Sequence, residues 1–242
     1  MNITELILSA MAALIALTIH EFAHGYTAYK LGDETAKAQG RLTLNPTKHL
    51  DPLGALCLIL FHFGWAKPVP INARNFKNPR RGFAISALAG PASNLILGFF
   101  TGFFYLLART FFTPTESLFL TNLQLNTILF LLYFFAINIG LGIFNLIPIP
   151  PFDGSRILNV LLPKKWYFKV MKYERKIYWW VIAWLFLGQY VYYALLSLPF
   201  IANAPMLSAI VKVFSLSDML SDAINAIANL TLRFWNLIPI FR

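Results

Sequence analysis

The stretch HEFAH, residues 20–24, matches the pattern His-Glu-x-x-His, whose residue types and spacing suit metal chemistry. On a helix, positions i and i+4 share a face, so His20 and His24 can direct their imidazoles at one ion. Glu21 then lies about 100° around the helix axis, beside the metal rather than bound to it. A zinc ion makes water more acidic, and Glu21 can accept its proton and return it to a leaving amine. A structural histidine pair without metal is the alternative interpretation.

A third metal ligand must come from elsewhere in the chain, because catalytic zinc sites use three protein ligands and keep one position open. Asp153 lies in PPFDGS, where prolines interrupt a long apolar segment and Gly154 permits a sharp turn. Taken alone, the Asp-Gly pair favours an ordinary turn over a metal ligand. Glu116 and Glu174 are the rival ligands and would indicate a membrane zinc protease of another family.

The composition is that of a polytopic membrane protein. Hydrophobic residues make up 58% of the 242 residues and charged residues only 12%, against roughly a quarter in soluble domains. The net charge of +10 does not indicate nucleic-acid binding, because the basic residues are confined to alternate loops. They cluster in 30–82 and 156–176 and are absent from 110–125 and 197–211. This positive-inside pattern predicts that the clusters face the cytoplasm.

The elements that must position these side chains can be predicted from hydropathy and breaker residues. Membrane-spanning helices are expected over about 3–30, 83–112 and 123–147. The apolar segment 53–66 is too short to span and has basic flanks on both sides, so we predict that it re-enters the membrane from one side. GRLTLNP, residues 40–46, alternates like a short strand. The predicted fold class is therefore an all-α polytopic membrane protein with a three-helix core and a short β/re-entrant loop region.

Additional helices are expected at the C-terminus. Residues 177–200 predict a further span, and 205–242 include an amphipathic helix that lies on the membrane or against a partner. We divide the chain into a core, 1–162, and a C-terminal part, 163–242.

Topology favours Asp153 as the third ligand. With the basic loops inside, the first span carries HEFAH towards the cytoplasmic face. The second span runs outwards and the third returns, which brings Asp153 back to the same side. Three features of the sequence then meet at one end of the core.

Four stretches together resemble the site-2 protease family of intramembrane zinc metalloproteases: HEFAHGYTAYKLGDETAKAQGRLTLNP, FGWAKPVPIN, AGPASN and NLIPIPPFDG. The similarity covers about residues 14–162, in the family's order. It implies that His20, His24 and Asp153 bind Zn²⁺ and that Glu21 is the catalytic acid/base. It also implies a compact member, because the 113–122 connection and the C-terminal part leave no room for PDZ or CBS domains.

Two asparagines are further candidates for substrate binding or oxyanion stabilisation. The resemblance places Asn94 of AGPASN near the active site, and the alternative is an asparagine that caps or bridges helices. Asn145 enters the NLIPIPP break, and hydrogen bonding between helices is its alternative role.

The expected function is an intramembrane zinc endopeptidase that cleaves within or near transmembrane segments. The expected partners are a transmembrane protein substrate, the lipid bilayer, and a second copy or a regulatory membrane protein, but no nucleic acid. The expected location is a prokaryotic plasma (inner) membrane, with the active site towards the cytoplasm. A non-catalytic metal-binding scaffold or transporter is the remaining alternative, which the presence of Glu21 argues against.

Overall fold

The structure is a computed structural model that describes residues 2–54, 65–113, 115–212 and 215–241. Helices account for most of these residues. In chain order they are α1 (Ile3–Lys30), α2 (Thr35–Ala38), α3 (Pro79–Phe111), α4 (Leu118–Asn145), α5 (Asp153–Leu161), α6 (Lys164–Leu196), α7 (Pro199–Ala202), α8 (Pro205–Val211) and α9 (Leu216–Trp235). Short 3₁₀ helices occupy Pro46–Lys48, Ala73–Asn75 and Pro239–Phe241.

Local signals set both ends of α1, which has the bounds predicted from the sequence. At its start, the Asn2 side chain accepts a hydrogen bond from the Glu5 N–H at 2.8 Å, and Glu5 accepts one from the Asn2 N–H at 3.2 Å. This reciprocal capping box satisfies donors that an uncapped helix leaves free. Gly32 follows the helix with a φ of 104°, a left-handed conformation that favours glycine and ends the helix.

In the described part of the chain, three helices are long and apolar enough to cross a membrane: α1, α3 and α4. α3 packs against both of the others. Small residues allow this close packing: a Cβ on Gly98 would lie 2.8 Å from Ile139 Cδ1, and one on Gly142 would lie 2.6 Å from Leu95 Cδ2. Such contacts between small residues and facing side chains are typical of membrane helix pairs. The predicted all-α fold with three apolar core helices is confirmed.

The predicted strand over residues 40–46 is wrong, because this segment bends instead of pairing. The Asn45 N–H donates to Thr43 Oγ1 at 3.1 Å, and the Thr47 N–H donates to Asn45 Oδ1 at 3.1 Å. His49 Nε2 donates to the Thr43 carbonyl at 2.8 Å. Side chains of Ser, Thr and Asn that bond to nearby backbone compete with a strand ladder in this way.

The predicted re-entrant segment, 53–66, is described only at its ends, since residues 55–64 lie outside the described residues. Leu50 and Ala66 form an isolated antiparallel bridge, and the Lys67 N–H donates to the His49 carbonyl at 2.8 Å. The chain therefore leaves and rejoins the described structure at neighbouring positions. Re-entry into the membrane stays a prediction.

The C-terminal part is also helical where it is described. α6 begins at Lys164, earlier than the span predicted over 177–200. The basic stretch 164–176 therefore forms the first turns of the same helix. α6 is not one of the three helices that meet the length and hydropathy requirements, and its crossing of the membrane stays a prediction. α9 covers the predicted amphipathic segment and packs on α3 and α4, where Trp235 Nε1 donates to the Phe99 carbonyl at 2.7 Å.

Candidate metal centre and catalytic site

The side chains of His20, His24 and Asp153 meet in the core of the protein. The two Nε2 atoms lie 2.9 Å apart, and Asp153 Oδ2 lies 3.2 Å from each of them. Both histidines are buried, with 4% and 7% of their surface exposed. All three potential ligand atoms lie within 4.8 Å of one another, so residues some 130 positions apart in sequence share one site.

Each imidazole is held by a hydrogen bond from its other ring nitrogen. His20 Nδ1 lies 2.6 Å from Asn94 Oδ1, and His24 Nδ1 lies 2.7 Å from the Ser86 carbonyl oxygen. Because these oxygens only accept hydrogen bonds, each Nδ1 carries a proton, and in the neutral imidazole each Nε2 then has the lone pair that can bind a metal. Metal-binding histidines are oriented in the same way.

The chemistry of this donor set fits a zinc ion. With neutral imidazoles, two nitrogen lone pairs and one carboxylate oxygen converge in a buried space, an arrangement that a cation between them stabilises. Two histidines and one carboxylate are ligands that catalytic zinc uses, with a further position left open.

Two glycines make the convergence sterically possible. A Cβ on Gly90 would lie 2.4 Å from His24 Nε2 and 2.7 Å from His20 Cε1, so α3 approaches both rings with bare backbone. A Cβ on Gly154 would lie 2.2 Å from the Leu146 carbonyl oxygen, so the start of α5 lies against the end of α4. Only glycine permits either approach.

The helix that carries Asp153 is fixed at its opposite end by α3. Arg80 Nη2 donates to the carbonyls of Asn159 and Leu162, at 2.6 Å each. A guanidinium at this position satisfies carbonyls that a helix leaves free at its C-terminus. Asp153 is the first residue of α5, an end of the helix where a negative charge is also favourable.

Glu21 points towards the segment that follows residue 64. Its Oε2 accepts a hydrogen bond from the Val69 N–H at 2.7 Å. Arg41 holds the same segment by donating from Nη2 to the Lys67 carbonyl at 2.7 Å. Val69 also packs onto α1, since a Cβ on Gly25 would lie 3.0 Å from Val69 Cγ1. The Val69 N–H thus holds the carboxylate of Glu21, the residue that directly follows His20 on α1.

Asp33 anchors the far end of this segment. Its carboxylate is fully buried and accepts hydrogen bonds from the Asn72 N–H and Asn75 Nδ2, at 2.7 Å each, and from the backbone and hydroxyl of Thr35. Burial alone would raise the pKa of the Asp33 carboxyl, but the hydrogen bonds from Thr35, Asn72 and Asn75 lower it below its ordinary value. The ionised form therefore stabilises the docked segment.

We expect Asp33→Asn to loosen residues 67–76. The substitution replaces one carboxylate oxygen with an amide nitrogen, which cannot accept a hydrogen bond from a donor such as the Asn72 N–H. Loss of one or two such bonds, at about 1 kcal/mol each, should speed amide exchange there roughly 5- to 30-fold. In the wild type, Asp33 stabilises the segment fully when the pH is above about 3.9, the pKa of an Asp carboxyl in the unfolded chain. The stabilisation is lost as the pH falls through the lower pKa that Asp33 has in the folded protein. Hydrogen exchange with mass spectrometry, corrected for intrinsic rates, measures both effects.

Glu34→Gln is the matched control for this measurement, since it removes a neighbouring charge and leaves these hydrogen bonds intact. Unchanged exchange of residues 67–76 in Asp33→Asn would contradict the anchoring role.

The two candidate asparagines are placed differently. Asn94 is fully buried between the core helices, and besides its bond to His20 it donates from Nδ2 to the Ala16 carbonyl and to Asn138 Oδ1. These contacts match the helix-bridging alternative. Asn145 is half-buried and donates to the Leu141 carbonyl of its own helix at 3.1 Å. A substrate or oxyanion contact stays a prediction for both.

The rival ligands do not join the site. Glu174 forms an ion pair with Arg156, and Glu116 lies exposed before α4, at the opposite end of the core. Among the described residues, His20, His24 and Asp153 are the one group of three or more His, Cys, Asp or Glu side chains that could hold a metal.

Sequence reasoning missed three groups at the site. Ser86 acts through its carbonyl and Val69 through its N–H, which every residue type except proline also supplies, so residue types give almost no signal for them. Gly90 lies in AGPASN, a stretch that does carry a signal, but its contact with the imidazoles depends on how α1 and α3 pack.

Comparison with known proteins assigns this site to a family. The model of the family described as Peptidase family M50 matches residues 8–188. "Putative zinc metalloprotease YwhC" of Bacillus subtilis (strain 168) is 46% identical over 159 residues, which cover 62% of this chain and 67% of YwhC. "Putative zinc metalloprotease Rip2" of Mycolicibacterium smegmatis is 32% identical over 151 residues, 60% of this chain and 54% of Rip2.

A third relative, "Zinc metalloprotease MJ0392" of Methanocaldococcus jannaschii, is 28% identical over 164 residues, 67% of this chain and 37% of that protein. The chain thus spans about half the length of Rip2 and less of MJ0392. No solved structure matches it.

Proposed function

Because the chain belongs to peptidase family M50 and is a zinc metalloprotease, we propose that it hydrolyses peptide bonds within or near transmembrane segments of membrane proteins. One observation carries the proposal: both histidines and the acid/base lie on α1, a helix apolar enough to cross the membrane. Ionisable groups at membrane depth are expensive and mark functional sites.

The residues divide the chemistry between them. His20, His24 and Asp153 would hold the zinc ion, which supplies Lewis acidity that polarises the scissile carbonyl and makes water more acidic. Glu21 accepts the proton from the attacking water and delivers it to the leaving amine. The Val69 N–H holds Glu21 Oε2 in place, and among the described residues Oε1 accepts no hydrogen bond, which leaves it for the proton.

The substrate has to unwind before it is cut. In a helix the scissile carbonyl accepts a hydrogen bond from the backbone four residues later, which obstructs attack. We therefore propose that the enzyme prefers transmembrane segments whose helix is locally weak.

The basic segments support a cytoplasmic position for the site. Lys30 ends α1, and Arg80 and Arg81 lie in the first turn of α3. At the opposite end of the core, Arg109 lies in the last turn of α3, and the connection to α4 carries no basic residue. We propose an integral protein of a prokaryotic plasma membrane whose site is reached by water from the cytoplasm.

The test uses the zinc-loaded protein in liposomes with a single-span peptide of 20 apolar residues. One version of the peptide carries two central glycines, and the matched version carries leucines. Product masses should place the cut inside the apolar segment. Cleavage of the glycine version should be roughly 10- to 30-fold faster, since each glycine weakens a helix by about 1 kcal/mol.

Cuts confined to the polar flanks of the peptide would contradict intramembrane cleavage. Equal cleavage of the two versions would contradict the requirement for unwinding.

A further inference from the structure

A line of hydrogen bonds connects His20 to α4, although α4 supplies no metal ligand. His20 Nδ1 lies 2.6 Å from Asn94 Oδ1, and Asn94 Nδ2 donates to Asn138 Oδ1 at 2.8 Å. Asn138 Nδ2 in turn donates to the Phe134 carbonyl at 2.7 Å. Neither asparagine has any exposed surface. All three core helices therefore contribute to the orientation of one imidazole.

The direction of every bond in this line is fixed from its far end. The Phe134 carbonyl can only accept, so Asn138 presents its amide nitrogen to Phe134 and its oxygen to Asn94. Asn94 must then turn its nitrogen towards α4 and its oxygen towards His20, and the Ala16 carbonyl, 3.2 Å from Asn94 Nδ2, supports the same orientation. His20 consequently donates from Nδ1, and the neutral imidazole then has its lone pair on Nε2.

The two histidines differ in how this is achieved. His24 is oriented by the backbone carbonyl of Ser86, which no substitution removes. His20 depends on two side chains in succession. The weaker link in the metal site therefore lies on α4, away from every ligand.

We propose that Asn138 is a positioning residue for the metal centre, which acts through Asn94 to hold His20 in the tautomer and orientation that direct Nε2 at Asp153. The inference rests on the proposed role of His20 as a zinc ligand. Groups that contact a metal ligand directly, as Asn94 contacts His20, commonly change metal affinity 10- to 100-fold. Asn138 lies one hydrogen bond further away, so we expect an effect at the lower end of this range.

The test measures zinc affinity by competition with a chelator for the intact protein in detergent. Asn138→Leu removes the acceptor for Asn94 and should weaken zinc binding about tenfold. Asn138→Asp should stay within about threefold of wild type, because a neutral carboxyl offers one donor and one acceptor in the same places. Thr101→Val is the control, since Thr101 is buried and, within the described part of the chain, its hydroxyl bonds only to the Leu97 carbonyl of its own helix.

Absorption spectra of the Co²⁺-loaded proteins add a second readout, because they report the geometry around the ion. We expect an altered spectrum for Asn138→Leu and wild-type spectra for Asn138→Asp and Thr101→Val. Wild-type affinity and spectrum in Asn138→Leu would overturn the proposal. Equal losses in the Leu and Asp variants would overturn it as well, since a fault in packing would then explain both.

Failure of the proposed function has a different signature. If the wild-type protein binds zinc but cleaves no membrane peptide, the proposed cleavage of transmembrane segments is refuted. The zinc affinities of the Asn138 variants would still test the role of Asn138. If a variant that lacks the His20 side chain binds zinc with wild-type affinity, His20 is not a ligand and both proposals fail.

Discussion

Glu21→Gln is expected to abolish cleavage while zinc remains bound at its wild-type level. Glutamine keeps the size of the side chain and can still accept the Val69 N–H, so the loop and the metal site should persist. It cannot take up a proton from water. Because general acid–base catalysis contributes about 10²- to 10⁴-fold, the cleavage rate should fall by that factor.

The measurement pairs the rate of peptide cleavage with zinc content by mass spectrometry. Glu5→Gln is the matched control, because Glu5 lies at the start of the same helix and glutamine also suits its capping position. Cleavage at the wild-type rate in Glu21→Gln would show that another group transfers the proton. A parallel loss of zinc would show that Glu21 serves the metal site instead.

Asp153→Ala is expected to lose zinc, and cleavage with it. The change leaves two imidazoles as the protein's contribution to the site. Zinc sites with about four ligands bind with ~10–16 kcal/mol, so one missing ligand should weaken binding roughly 10²- to 10³-fold. The histidines keep their bonds to Asn94 and Ser86, so α1 and α3 should stay packed.

Zinc titration in the presence of a chelator measures this loss, and thermal unfolding of the metal-free proteins reports on the fold. Asp222→Ala is the control, since Asp222 forms an ion pair with Lys212 far along the chain from the site. Retention of wild-type affinity in Asp153→Ala would remove Asp153 from the ligand set. The rival ligands Glu116 and Glu174 would then need testing by the same titration.

The fold of the core could be predicted because its signals are local. The Asn2 cap, the uncharged run over residues 6–19 and Gly32 determine α1, and the prolines after Asn145 end α4. The segment 40–46 was mispredicted for a physical reason. Its residues alternate like a strand, yet a strand needs a partner, and the hydroxyl and amide groups of Thr43 and Asn45 bond to nearby backbone first.

The site could be predicted in part. His-Glu-x-x-His specifies its own geometry on a helix, and the alternation of basic loops brings Asp153 to the same end of the core. The role of Asn94 depends on the relative rotation and height of α1, α3 and α4, which hydropathy does not encode. The contact between Glu21 and Val69 depends on a backbone N–H, and every residue except proline has one.

The separation of the ligands along the chain affects how the enzyme is made. His20, His24 and the two groups that contact them directly, Asn94 and the Ser86 carbonyl, all precede residue 95. Asp153 is synthesised about 60 residues later, a delay of roughly 3–12 s at ~5–20 residues per second. Until then the growing chain has two imidazoles but an incomplete ligand set, and the support that Asn138 gives to Asn94 is also made late. The nascent chain therefore has no complete set of ligands for zinc until the residues that follow α4 have been made.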